Sequence, residues 1–378
     1  METNWPRRCK GESFRLTEVL LLLKKYSRGT IYGVFFLFLL IAPLMLSDFR
    51  IGLLAKFLCF AIIAVGISLI WGFTGIMSLG HGVFFGLGAY CMAMYLKLEA
   101  STSGVPDFME WNGITELPFI WSIFKNPIFA ICSAILLPFL IAWIIGYVTF
   151  KNRIKGVFFS LISQAVVVVT VTLFIGSQQI TGGTSGLTNF FTVFHVPLAD
   201  PGTKSFLYFL TVSLLAIVMG ISLILTKTRF GRLLIAIRDG ENRLRFLGYN
   251  PAIFKVFIYA LSAAFAGIAG ALFVLQVGII TPEMMGIIPS IEMVLWVAIG
   301  GRHSILGAAI GAILTNSAKS FLSETYPEFW TIFLGGLFLL VVLYLPNGLV
   351  GIVEKFKVRF FKKEKKEAEK DAADSLVS

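Results

Sequence analysis

The chain has 378 residues, of which 57% are hydrophobic and only 14% charged, whereas soluble domains carry about a quarter charged residues. A mean hydropathy of +0.85 with apolar runs throughout describes a polytopic membrane protein and excludes a soluble enzyme or binding module. The formal charge of +11 sits in loops and tails between apolar runs rather than along one face, so orientation in a membrane explains it better than nucleic acid does.

Residues 1–29 carry Arg7, Arg8, Lys10, Arg15, Lys24, Lys25 and Arg28, which predicts a cytoplasmic basic segment. Leu16, Val19, Leu20 and Leu23 give it an apolar stripe at helical spacing, suited to the membrane surface. No small-x-small cleavage site follows Leu46, which speaks against a cleaved signal peptide. Apolar segments then run near 30–47, 51–70, 76–96, 127–150, 156–176, 205–226, 256–277, 288–300, 304–320 and 329–346. Measured against the roughly 20 residues needed to cross hydrocarbon, they predict an all-α polytopic bundle of about ten spans. The segments near 288 and 304 are short and separated only by Gly301–His303, which predicts broken or half-spanning helices. The membrane domain is thus 30–350, followed by a charged cytoplasmic tail at 351–378.

Trp71–Tyr90, WGFTGIMSLGHGVFFGLGAY, gathers Gly72, Gly75, Gly80, Gly82, Gly86 and Gly88 with Ser78 and His81. Glycines at such spacing allow close helix packing, and a cluster this dense can also unwind a helix and free backbone groups for a solute. Part of the spacing returns at Trp296, Gly300, Gly301, Ser304, Gly307 and Gly311, too sparsely to establish an internal repeat. The connection 97–126 holds Glu99, Asp107, Glu110 and Glu116 against Lys97 and Lys125, whereas 151–155 holds basic residues and no acid. By the positive-inside rule the first lies outside, the second inside, and both termini are cytoplasmic. The turn-rich ITGGTSGLTNF, Ile180–Phe191, lacks the G-K-[ST] ending of a phosphate loop.

From Lys227 to Lys255 the chain is basic and polar, and Arg229, Arg232, Arg238, Asp239, Glu241, Arg243 and Arg245 would each be costly in hydrocarbon. Leu233, Ile237 and Leu244 recur on one side of a helix that Asn250-Pro251 would stop. A short amphipathic helix presented to a partner and an ordinary solvated loop both fit. Further on, Glu292 falls within an apolar segment, where an ionisable group turns toward the bundle interior or a water-filled path. It would serve as a structural ion-pair member, with Arg302 or Lys319, or as an acceptor for a polar solute. Gln164, Gln276 and Asn316 share that ambiguity, since an amide is satisfied by a neighbouring helix or by a solute. Cys9, Cys59, Cys91 and Cys132 form no C-x-x-C pair, and His81, His195 and His303 have no partner at metal-ligand spacing, so no metal site is expected.

The run Gly231–Leu272, GRLLIAIRDGENRLRFLGYNPAIFKVFIYALSAAFAGIAGAL, resembles the coupling loop of permease subunits in bacterial ABC importers of the branched-chain amino acid and urea class. Gly75–Tyr90 is similar to the same family's G-x-x-S-L-G-H/Q-G run with its following aromatic pair and G-x-G-A-Y, and Thr181–Thr188 to its GG-x-x-GLT. QVGIITP (Gln276–Pro282), IEMVLWVAIGGR (Ile291–Arg302), NSAKSFLSE (Asn316–Glu324) and LPNGLVG (Leu345–Gly351) look closest to the urea importer's second permease subunit. The resemblance implies an ABC importer permease fold in the inner membrane, with no catalysis and no cofactor in this chain. Its partners would be a second related permease, two cytosolic subunits that bind ATP-Mg, and an extracytoplasmic solute-binding protein. Arg238, Asp239, Glu241, Arg243 and Gly248 would lie in the docking segment, with Lys255 at the return into the membrane. The helix carrying Gly75, Ser78 and His81 would line the path, to which Gln164, Glu292 and Asn316 add polar groups. Gly248 stands seven residues after Glu241, where the general importer motif has six, so individual contacts do not transfer.

Urea, or a short amide, is the solute this reading favours, because carboxylate, amide and backbone oxygens can hold a neutral molecule. A branched-chain amino acid is the alternative, and it would need a partner for its ammonium and for its carboxylate, the latter offered at membrane depth only by Lys56, Arg302 and Lys319. An ion-coupled secondary transporter would show several intramembrane acids, of which Glu292 is the clear one.

Overall fold

In a computed structural model of the full chain, the described residues are 29–326 without 102, 103, 115, 155, 195 and 199, together with 332, 335, 336, 339 and 348–351. The basic N-terminal segment, nearly all of the predicted span at 329–346 and the tail beyond 351 lie outside them. The chain divides after Ile51 into two compact units. The first holds helix α1 (Gly29–Met45), and α2 (Asp48–Ser68) starts there and runs on through the second. Then follow α3 (His81–Ala100), α4 (Pro127–Lys151), α5 (Val157–Gly176), α6 (Pro201–Lys227), α7 (Arg229–Phe246), α8 (Pro251–Val277), α9 (Ile287–Gly300) and α10 (Ile305–Thr325). Seven of these, α2 to α6, α8 and α10, are long and apolar enough to cross a membrane, while α1 and α9 are shorter apolar helices. Of the two segments predicted to be short, α9 remains so, but α10 continues to Thr325 and reaches full length.

Three of the long helices begin by one local device. Asn126, Asp200 and Asn250 each precede a proline, and their side chains accept hydrogen bonds from the backbone N–H groups of Ile128, Thr203 and Ala252 at 2.9, 3.2 and 3.2 Å. The side chain satisfies an orphan donor, and proline fixes the first helical φ without losing a needed one. Asn250-Pro251 therefore starts α8 and does not stop α7, which ends at Phe246 with Gly248 in the left-handed region at φ 85°.

In the second unit α8 is the central helix and packs chiefly on α3 and α4. A Cβ at Gly88 of α3 would collide with the Gly267 backbone of α8, and one at Gly267 would collide with the Ala134 carbonyl of α4. The connections gather at two ends. One end holds the turns after α2, α4, α6, α7 and α9: Gly75, Ile154, Arg238 and Lys255 surround one hollow, and His303 reaches Gly72. At the opposite end Leu187 pairs antiparallel with Ile280, and the Tyr95 and Phe194 rings meet at 5.8 Å. Buried Lys97 there closes on Asp107 at 2.8 Å.

Candidate functional site

The π-helix Leu69–Thr74 widens the end of α2 and stops at Gly75, whose φ of 73° suits a residue without a side chain. From Gly75 to Gly80 the chain is unwound, as the glycine density allows. Two of its backbone groups are taken up by the bundle itself. Ser160 donates to the Met77 carbonyl at 2.7 Å, and the Leu79 N–H donates to Ser163 at 3.0 Å, both from α5. Ser78 and His81 are buried, and the His81 Nε2 lies 2.9 Å from the Ser262 hydroxyl of α8. Gln164 is half-buried on α5 beside Ser163.

Helix α7 lies at this same end. Leu234, Ile237 and Leu244 are buried on its inner face, with Leu234 rather than Leu233 taking the first place. At Gly240 the backbone leaves helical geometry, so α7 is two short helices joined at a kink. Glu241 follows the kink and turns inward. Its two oxygens accept from Arg245 and from Lys255 of α8, both at 2.7 Å, and the Glu241 and Lys255 side chains are only 11% and 7% exposed. The docking list read from the sequence therefore divides in two. Glu241 and Lys255 hold α7 to the bundle, and Arg238 reaches back to it, while Asp239, Arg243 and Gly248 face outward. Arg238 also bonds to exposed Asp239 at 2.8 Å, which holds that carboxyl below the usual range.

Arg238 donates to the Gly72 carbonyl at 2.9 Å, and the His303 Nδ1 lies 3.0 Å from that same oxygen. Arg302 donates from Nε to the His303 Nε2 at 3.1 Å, and the Arg238 Nη1 stands 3.2 Å from the His303 Nδ1. A Cβ at Gly72 would overlap the Arg302 carbonyl oxygen. Burial first, and then the Arg302 and Arg238 charges, push the His303 pKa below its ordinary value. This junction ties α7, the end of α2 and the α9–α10 turn to a single carbonyl.

The sequence did not single out the apolar residues of the tip beyond Glu241. Phe246 and Leu247 are 90% and 73% exposed, with Tyr249 and Ile253 also exposed beside Arg243. Their distinguishing signal is apolarity inside a stretch whose charges demand water.

Glu292 and Asn316 meet elsewhere, in a cavity of about 450 Å³ between α2, α8, α9 and α10. Gly75, Ser78, His81 and Gln164 do not line it. Glu292 makes a two-oxygen ion pair with Lys319 at 2.9 and 2.8 Å, the second of the partners the sequence offered. Lys56 of α2 also lines the cavity, its ammonium 5.9 Å from the Phe273 ring centre. Among the described residues it makes no hydrogen bond or ion pair. Phe60 stacks with Phe273 at 5.6 Å and meets Trp296 at 4.8 Å, forming an aromatic wall. Asn316 spends its amide N–H on the Ala312 carbonyl at 2.8 Å, keeping its side-chain oxygen for another donor. Lys319 stands roughly 21 Å along α10 from the α9–α10 turn, so the cavity belongs to the half of the bundle away from α7.

A set of membrane-length helices, with an ionic and aromatic cavity in one half and an amphipathic helix at the other end, is the architecture of a membrane permease. Residues 49–342 match the family described as branched-chain amino acid transport system / permease component, and the chain belongs to that family. It is similar to the high-affinity branched-chain amino acid transport system permease protein LivM of Salmonella typhimurium, at 25% identity over 82% of this chain and 71% of the relative. LivM of Escherichia coli matches at 25% with the same coverage, and BraD of Pseudomonas aeruginosa at 24% over 79% of this chain and 94% of its own. No solved structure matches significantly. The chain is thus a multi-pass inner-membrane permease subunit of an ABC importer, not an enzyme, and it works with ATP-binding and solute-binding partners.

Proposed function

We propose that this subunit forms part of the path for a branched-chain amino acid, alongside a second related permease. The observation that carries the reading is the cavity holding Lys56, Lys319 and Glu292 against the Phe60, Phe273 and Trp296 rings. A zwitterion with an apolar side chain needs opposite charges and an apolar surface within one site. Urea, which the sequence favoured, has neither charges for the lysines and Glu292 to match nor an apolar tail for the aromatic wall, and the relatives' names speak for the amino acid. In this reading α7 faces the cytoplasm with both termini. Its tip of Phe246, Leu247 and Tyr249, with Asp239 and Arg243, docks on one of two ATP-hydrolysing subunits.

The test is uptake in a strain lacking this chain, complemented with it and supplied with labelled leucine or labelled urea. Restored leucine uptake without urea uptake is expected. Restored urea uptake alone would return the assignment to the neutral solute, and uptake that persists without any ATPase would make the chain a secondary transporter.

A further inference from the structure

We infer that Lys56 is the carboxylate receptor of the cavity and that the Glu292–Lys319 pair is its ammonium-binding counterpart, an inference that rests on the amino-acid reading above. The cavity holds two lysines of different standing. Lys319 is held by both oxygens of Glu292. Lys56 faces the same space half-buried, without an ion pair among the described residues and with its ammonium 5.9 Å from the Phe273 ring centre. A lysine on a membrane-spanning helix beside a second lysine is costly unless an anion reaches it. The cavity's lining has two carboxylates among the described residues and neither is paired with Lys56, Glu292 being bound to Lys319 and Glu324 exposed near the end of α10.

The chemistry that completes the site is a carboxylate on an apolar tail. The carboxylate would take charge-assisted hydrogen bonds from Lys56. Its tail would lie on the Phe60, Phe273 and Trp296 rings, which burial in the cavity already orders. An α-ammonium would share the Glu292 carboxylate with Lys319, so the zwitterion gives Lys56 its anion while the net charge of the three side chains stays the same. Asn316 adds an amide oxygen on the same wall.

The experiment compares Lys56→Gln, Lys56→Met and Lys56→Arg in the complete importer, reading labelled leucine uptake beside membrane abundance and co-purification with the ATP-binding subunit. Loss of one charge-assisted contact should lower uptake at least about tenfold in the glutamine and methionine variants at unchanged abundance, while arginine retains a third or more, roughly. Glutamine or methionine variants that transport like wild type would overturn the assignment. So would an arginine variant as defective as glutamine at equal abundance, or neutral variants that fail to assemble while arginine assembles and fails to transport. Wild-type importer that moves no leucine would instead overturn the amino-acid reading, and this site with it.

Discussion

The Glu241 carboxylate and the Lys255 ammonium close at 2.7 Å across the turn that joins α7 to α8, with both side chains almost fully covered. Because Glu241 directly follows the Gly240 kink, the pair fixes the direction in which the second half of α7 projects. Removing one partner strands a covered charge, a loss of about 3 kcal/mol or more. Glu241→Gln should therefore speed amide hydrogen exchange in 240–250 and lower the melting temperature, and Lys255→Met should do the same. Exchange unchanged in both variants would contradict this role.

The exposed tip separates docking from folding. Phe246→Ser and Leu247→Ser remove apolar surface that is already in water, so abundance and melting temperature should stay at wild-type values. Co-purification of the ATP-binding subunit should fall several-fold, as it should with Asp239→Lys. Capture that survives all three substitutions would place the docking surface elsewhere.

Glu292 and Lys319 make a claim that a charge swap can check. Glu292→Gln and Lys319→Met alone should each lower both stability and leucine uptake, by about 1–3 kcal/mol for a pair only partly covered. Glu292→Lys combined with Lys319→Glu should recover stability at least in part. Uptake should remain impaired, because the reversed pair presents the wrong sign to an incoming ammonium. Full recovery of uptake would show that the pair serves the bundle alone.

His303 gives the junction a pH dependence. Its folded pKa lies below the ordinary 6.5, so as pH falls through that value the unfolded chain binds the proton first and stability drops. The junction's contribution is complete above about pH 6.5 and is lost progressively toward acid. The charged ring would also carry a proton on Nε2, facing Arg302. Melting between pH 5.5 and 7.5 should show a steeper acid loss for wild type than for His303→Gln. Identical slopes would remove His303 as the titrating group.

Local signals carried the sequence reading some distance. Dense charge between Arg229 and Arg245 marked α7, and glycines marked the unwound Gly75–Gly80 stretch. Glu292 in an apolar run announced an ion pair, and Lys319 was among its offered partners. The missing parts all depend on which distant segments meet. Ser160 and Ser163 take the backbone groups of the glycine-rich turn, and nothing in Trp71–Tyr90 points to them. Glu241 reads as an outward docking charge until α8 brings Lys255 beside it. Lys56 stands in an apolar span far from Glu292 in sequence, and its position in the cavity follows only once α2 lies against α9 and α10. The solute assignment turned on that same point, since a neutral molecule had looked easier to hold than one needing two charges.

Lys56 and Gly72 belong to one continuous helical rod, roughly 24 Å apart at 1.5 Å per residue. Torque applied by the nucleotide-driven partner through Arg238 would arrive at Gly72 and, in the same stroke, swing the ammonium at the far end. Gating would then need no relay of side chains through the protein, and the wider π-turns near the grip would set how much twist is absorbed before the far end moves.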